Sequence, residues 1–89
     1  MKTFTFKQGD LVKFITTDCS SAVDHPIGIH ESATYKKTIS ADDLYRPTPA
    51  DVGLLTGQKL AKEHLVMHEV YINEGLFWFY EDNLIPFNL

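Results

Sequence analysis

The stretch that most constrains the fold is the unbroken apolar run LFWFY, from Leu76 to Tyr80. Successive side chains of a β-strand point to opposite faces, so Trp78 would lie on one face and Phe77 and Phe79 on the other. Both faces of this strand are therefore apolar. A small domain buries one such face in its core, and the second face needs cover from another segment or another molecule.

The residues around this run predict a β-hairpin. Asn73-Glu74-Gly75 suits a three-residue loop with glycine in the left-handed conformation, which places Ile72 opposite Leu76. The first strand of this hairpin is predicted over His64 to Ile72. The face predicted to be the core carries His68, Val70, Trp78 and Tyr80. The opposite face carries Glu69, Tyr71, Phe77 and Phe79.

The segment from Gln58 to Tyr71 has a second interpretation as a helix. Its first half is rich in helix-forming residues. A helix would line up Leu60, His64, Met67 and Tyr71 on one side. We favour the strand, because the hairpin explains both flanks of the segment and a helix explains one.

The remaining regular pattern is also β. Gly9-Asp10 provides a turn before a strand in LVKFI, and Asp51 to Gly57, the sequence DVGLLTG, predicts a second strand. The acidic turn at Glu81 to Asn83 precedes a short last strand, LIPF. Pro86 restricts that strand to a sheet edge or an end position, because proline has no N–H to donate. The chain is therefore predicted to be all-β.

The segment from Thr16 to Ala50 differs from the rest in being dominated by polar residues and proline. A connection of this length needs small structural elements of its own. We expect Ile27–Ile29 to pair with Thr34–Ile39. Ser40 is expected to cap a single helical turn through Asp43.

Composition limits the class of protein. A chain of 89 residues makes one domain, and 44% apolar with 22% charged residues is typical of a globular protein. Cys19 is the single cysteine, which excludes an intrachain disulfide. The first residues lack the apolar region of a signal peptide and the longest apolar run is too short to cross a bilayer, so we expect a soluble protein with no membrane partner.

Candidate chemistry is sparse. On a strand, His64 and His68 would lie about 13 Å apart, too far to share one metal ion. Cys19 follows Asp18, whose negative charge would raise the pKa of the thiol and so disfavour a nucleophile. No combination of nucleophile, base and oxyanion donor can be assembled, so we expect no enzyme, no metal and no cofactor.

Charge argues against a nucleic-acid partner. The net charge is −4, and Lys36-Lys37 is the longest basic run. A surface that follows phosphate groups would need a local basic cluster. Nucleic acid is therefore an unlikely partner.

Three stretches, FKQGDLVKFI, VGLLTG and VYINEGLFWFYEDNLIPF, together resemble the small SH3-like barrel proteins of tailed bacteriophages. The resemblance implies one SH3-like barrel over residues 1–89, with a long loop insertion at about 16–50 between the first two core strands. It also implies a non-enzymatic virion structural or assembly component, or an accessory factor directed at a host protein. Such a protein would reside in the virion or in the cytoplasm of the infected cell. The alternative function is a nucleic-acid-binding barrel of the same type.

Aromatic residues are the candidate partner-binding groups: Tyr35, Tyr45, Tyr71, Phe77 and Phe79. They could pack together, with the long loop folded across the last hairpin, or stay open and dock on a phage or host protein or a second copy. We expect the loop to shield Phe77 and to present Tyr35 and Tyr45 at its tip, since binding residues concentrate on loops.

Overall fold

The chain folds into an antiparallel sheet of seven strands that curls into a half-barrel, in a computed structural model that describes residues 5–15, 27–48, 50–63 and 65–88. The strands are β1 Leu11–Phe14, β2 Gly28–His30, β3 Leu44–Tyr45, β4 Gly53–Lys62, β5 Leu65–Ile72, β6 Gly75–Tyr80 and β7 Leu84–Pro86. Their order is β3-β2-β6-β5-β4-β1-β7. The described residues contain short 3₁₀ turns and no α-helix. The all-β prediction is confirmed, and the narrower SH3-like assignment stays a prediction.

The predicted strands at the two ends of the chain are confirmed. Gly9 has a φ of 87°, and Asp10 Oδ2 accepts a hydrogen bond from the Lys7 N–H at 2.9 Å, so the turn before β1 forms as its sequence indicates. The acidic turn Glu81–Asn83 leads into β7, which pairs with β1 alone. Pro86 thus lies on an edge strand, where its missing N–H costs no interior hydrogen bond.

The ambiguous segment from Gln58 to Tyr71 is strand and turn. The hairpin argument is confirmed for β5, whereas β4 continues to Lys62, beyond the predicted strand over Asp51 to Gly57. Gln58 still belongs to β4, and β5 begins at Leu65. The predicted start of this strand at His64 lies outside the described residues. The register between β4 and β5 shifts between Leu55 and Lys59, where Gly57 takes a φ of 97°, so a bulge interrupts the pairing.

The hairpin loop between β5 and β6 is one residue shorter than predicted. Asn73 and Glu74 alone form it, with φ of 53° and 60°, and Ile72 pairs with Gly75 rather than with Leu76. Two left-handed central residues are the signature of a type I′ turn, which matches the twist of the strands.

A shift of one residue in the pairing register moves every side chain of a strand to the opposite face of the sheet. The core face therefore joins His68 and Val70 to Phe77 and Phe79, and the predicted core face with Trp78 was wrong. One continuous cluster fills the core: Val12, Phe14, Leu55, Val70, Ile72, Phe77, Phe79 and Leu84. The rings of Phe14 and Phe79 are 4.6 Å apart at its centre.

Part of the polar segment completes the sheet. β2 pairs with β6 and β3, so the predicted pairing of Ile27–Ile29 with Thr34–Ile39 was wrong. The predicted helical turn exists at Ala41–Asp43 and carries the expected capping box with Ser40. Gly28 passes so close to the Phe79 ring that a Cβ at this position would overlap it. Residues 16–26 of the predicted insertion lie outside the described residues.

Candidate protein-contact face

The face of the sheet opposite the core is largely apolar; we call it the outer face. Its first row runs across four strands through directly paired residues, from Leu11 to Leu54, Tyr71 and Leu76. Leu11, Leu54 and Tyr71 are 47%, 40% and 49% exposed. An antiparallel sheet with one buried face normally turns a polar face to water. This row departs from that pattern.

Two further rows lie beside the first row, one after the other along β5. In the next row Trp78 pairs with Ile29, which pairs with Leu44 on the edge strand β3. In the row after that Met67 lies between Leu60 and Tyr80, which are both exposed. The outer face therefore spans the sheet from β1 to β3 with few interruptions by charge.

Glu69 interrupts the apolar rows at the middle of the outer face. It pairs directly with Trp78 on β6 and is 5% exposed. Its Oε1 accepts a hydrogen bond from the Thr56 hydroxyl at 2.7 Å. Thr56 lies in β4 just before the bulge, so the irregular register of β4 helps to place its hydroxyl over β5.

The charged pairs among the described residues lie elsewhere. Lys36 Nζ is 2.9 Å from Asp43 Oδ1, and His68 Nε2 is 2.6 Å from Glu81 Oε2 on the core side. His68 also contacts Phe6 edge-on, with ring centroids 5.4 Å apart. Glu69 therefore has no ion-pair partner in the part of the chain that the structure describes.

An open groove adjoins the outer face at Leu11. It has a volume of about 340 Å³. Its lining residues are Phe6, Gly9, Asp10, Leu11, Pro86, Phe87 and Asn88. Lys13 lies on the same side of the sheet, with Nζ 5.5 Å from the Phe87 ring centroid. The groove is more polar than apolar, so it forms a polar border to the outer face beyond β1.

The five sequence-predicted partner residues fall in three places. Phe77 and Phe79 belong to the core, where they are 7% and 0% exposed. Tyr45 packs on Phe77 at 5.4 Å and donates a hydrogen bond to Asp51 Oδ2 at 3.0 Å. Burial and this hydrogen bond raise the pKa of Tyr45. Tyr35 is 87% exposed on a separate turn.

Tyr71 alone among these five lies on the outer face. Sequence reasoning placed Glu69 correctly on the face opposite the core but did not name Leu11, Leu54, Thr56 or Glu69 as contact residues, and it placed Trp78 in the core. The signal that could have placed Trp78 correctly was the turn, since a two-residue Asn73-Glu74 loop fixes the other register between β5 and β6. Glutamate is uncommon at the second position of such a turn, and the neighbouring Gly75 favoured the longer loop.

The described residues contain no cluster of three metal-ligating side chains and no helix long and apolar enough to span a membrane. Neither a protein-family model, nor a curated protein, nor a solved structure matches the chain. The candidate site therefore stands on its geometry alone.

Proposed function

We propose that the chain is a non-enzymatic module that binds another protein through its outer face. The observation that carries the proposal is the apolar row Leu11, Leu54, Tyr71 and Leu76 across four adjacent strands, in which the first three side chains are 40–49% exposed and Leu76 is partly buried. Contiguous apolar patches of this kind are typical of interaction surfaces on soluble proteins. Trp and Tyr side chains also provide much of the binding energy at such surfaces.

The size of the outer face fits the centre of an interface. Three rows on four strands cover about 400 Å² at the usual strand spacings. A standard interface buries roughly 800 Å² per partner, with an apolar centre and a polar rim. The outer face would provide that centre, and the polar residues around the sheet would provide the rim.

The resemblance to small barrel proteins of tailed bacteriophages supports a more specific role. We propose a virion structural or assembly component, or an accessory factor directed at a host protein. Nucleic acid is the weaker alternative, because the aromatic groups of the outer face surround a carboxylate and the net charge is −4.

Site-specific photo-crosslinking in the producing cell tests the proposal. A photoreactive phenylalanine analogue at Leu54 should give a discrete crosslinked species, because Leu54 is exposed in the first row of the outer face, between Leu11 and Tyr71. The matched control is the same analogue at Tyr35, which is exposed on a separate turn. Crosslinking from position 35 and none from position 54 would reject the outer face and return the contact to the turn at residues 31–35.

A further inference from the structure

The carboxylate of Glu69 is incompletely matched within the chain. Its Oε1 accepts from Thr56, whereas no donor among the described residues reaches Oε2. No buried side-chain oxygen in the described residues lacks a partner, so Oε2 retains access to solvent. Glu69 is 5% exposed and makes no ion pair with any residue that the structure describes, and such a carboxylate is costly to hold among apolar groups. A donor from outside the chain would offset that cost.

Aromatic groups surround the open side of Glu69. Trp78 is its direct cross-strand neighbour, within the usual 4.5–5.5 Å or so between paired Cβ atoms. Tyr71 follows Glu69 by two residues on the same face, and Tyr80 follows Trp78 in the same way. A carboxylate beside aromatic faces is the combination that binds a guanidinium group, which accepts stacking and donates paired hydrogen bonds at once.

Charge distinguishes between two candidate partners for this site, a second copy of the chain and a basic protein. A second copy would bring an acidic molecule of net charge −4 and an identical carboxylate-bearing face towards Glu69. A basic partner would instead supply the missing counter-charge and be attracted by the overall field. The observations therefore favour a foreign basic protein over self-association.

We propose that Glu69, Thr56 and Trp78 form a binding site for an arginine side chain that a partner protein presents among apolar residues. The inference rests on the proposed function of the outer face and specifies the partner: a protein with an arginine at the centre of its contact surface. Arginine is preferred to lysine, because the planar guanidinium can stack on Trp78 while it bonds to Oε2.

Nuclear magnetic resonance titration with two blocked tripeptides tests the inference. One peptide is Leu-Arg-Leu, and the other replaces arginine by citrulline, which has nearly the same shape and no charge. The indole N–H of Trp78, the sole tryptophan, reports directly on the site. We expect saturable shifts of this signal and of the Thr56 amide, with at least tenfold tighter binding of the arginine peptide, about the effect of one charge-assisted pair.

Three variants complete the experiment. Glu69→Gln keeps an acceptor for Thr56 and should weaken the arginine peptide about tenfold without changing citrulline binding. Glu31→Gln makes the same change of charge on an exposed turn and should change neither. Equal binding of both peptides would overturn the arginine site. The arginine site would also be overturned if Leu54→Ser were the only variant that abolished binding of both peptides. Either result would leave the outer face as a docking surface. Absence of any saturable shift would overturn the arginine site as well, and the crosslinking experiment would then decide separately about the outer face.

Discussion

Glu69 and Phe79 show how adjacent positions of one hairpin serve opposite surfaces. His68 pairs with Phe79 on the core face, and the next residue, Glu69, pairs with Trp78 on the outer face. The side chain of Phe79 is fully buried, whereas Glu69 is a nearly buried carboxylate with one neutral donor. Burial of Phe79 stabilises the monomer, whereas the nearly buried carboxylate of Glu69 is expected to destabilise it.

Neutralising Glu69 should therefore stabilise the free protein. Glu69→Gln retains the acceptor for the Thr56 hydroxyl and removes the buried charge, so we expect the free energy of unfolding to rise by about 1 kcal/mol at pH 7. Urea unfolding followed by circular dichroism measures it, with Glu31→Gln as the matched exposed control. A clear loss of stability in Glu69→Gln would assign Glu69 a purely structural role.

Truncating an aromatic residue should lower the free energy of unfolding much more on the core face than on the outer face. Phe79→Ala removes a fully buried ring and is expected to cost about 3–5 kcal/mol of unfolding free energy. Tyr71→Ala removes a ring that is 49% exposed, with an expected cost of about 1 kcal/mol or less. Chemical denaturation of both variants compares them directly, and equal losses would contradict the assignment of faces.

The β5–β6 hairpin shows what the sequence could and could not specify. The strands and the position of the loop were predicted correctly, because alternating Val70 and Ile72 and the glycine at residue 75 are strong local signals. The loop length was not predicted correctly. Asn73 and Glu74 tolerate both a two-residue and a three-residue loop, and the choice depends on the twist of the completed sheet. That difference of one residue exchanged the two faces of β6, whereas the faces of β5 were assigned correctly.

The turn offers a direct test of this account. Glu74 has a φ of 60°, a conformation that costs a non-glycine residue about 1 kcal/mol. Glu74→Gly creates the preferred Asn-Gly type I′ pair and should raise the melting temperature by a few degrees, in keeping with a gain of about 0.5–1 kcal/mol. Glu31→Gly, where φ is not positive, should lower it. A destabilising Glu74→Gly would argue against the two-residue turn.

The capped turn before β3 should make stability depend on acid pH. A hydrogen bond from Lys36, followed by one from the Ser40 backbone, lowers the pKa of Asp43 below its ordinary value of 3.8. A carboxyl with a lowered folded-state pKa stabilises the fold above its unfolded-state pKa, and this contribution disappears as pH falls through the folded-state value.

Thermal melts of Lys36→Met from pH 7 down to pH 2 measure that contribution. The variant should melt below the wild type at pH 7, and the difference should shrink from about pH 4 downwards as Asp43 becomes protonated in both proteins. Lys37→Met is the matched control, since this neighbouring lysine makes no ion pair among the described residues. A difference that is constant with pH would show that Lys36 acts through packing alone.

For the molecule as a whole, the fold class was easier to predict than the use of its surfaces. Alternating residues, apolar runs and turn residues identified β1, β4, β5, β6 and β7, because each of these signals is local. The sequence did not predict that β2 and β3 help to cover the core. Gly28 contacts Phe79 and Tyr45 contacts Phe77, and both contacts join residues that are distant in sequence. The outer face was hidden for the same reason: its rows exist only after four strands are aligned.

The two ends of the sheet carry a consequence for assembly. At one end β3 is two residues long, and at the other β7 ends in Pro86, which has no N–H to offer. Within the described residues, β3 and β7 are too short to provide a long row of free backbone groups, so addition of a strand from another chain at these two borders is disfavoured. When a partner binds through a single broad surface, it covers that surface, and no further molecule can bind there. The complexes of this protein are thus expected to be closed and of fixed stoichiometry.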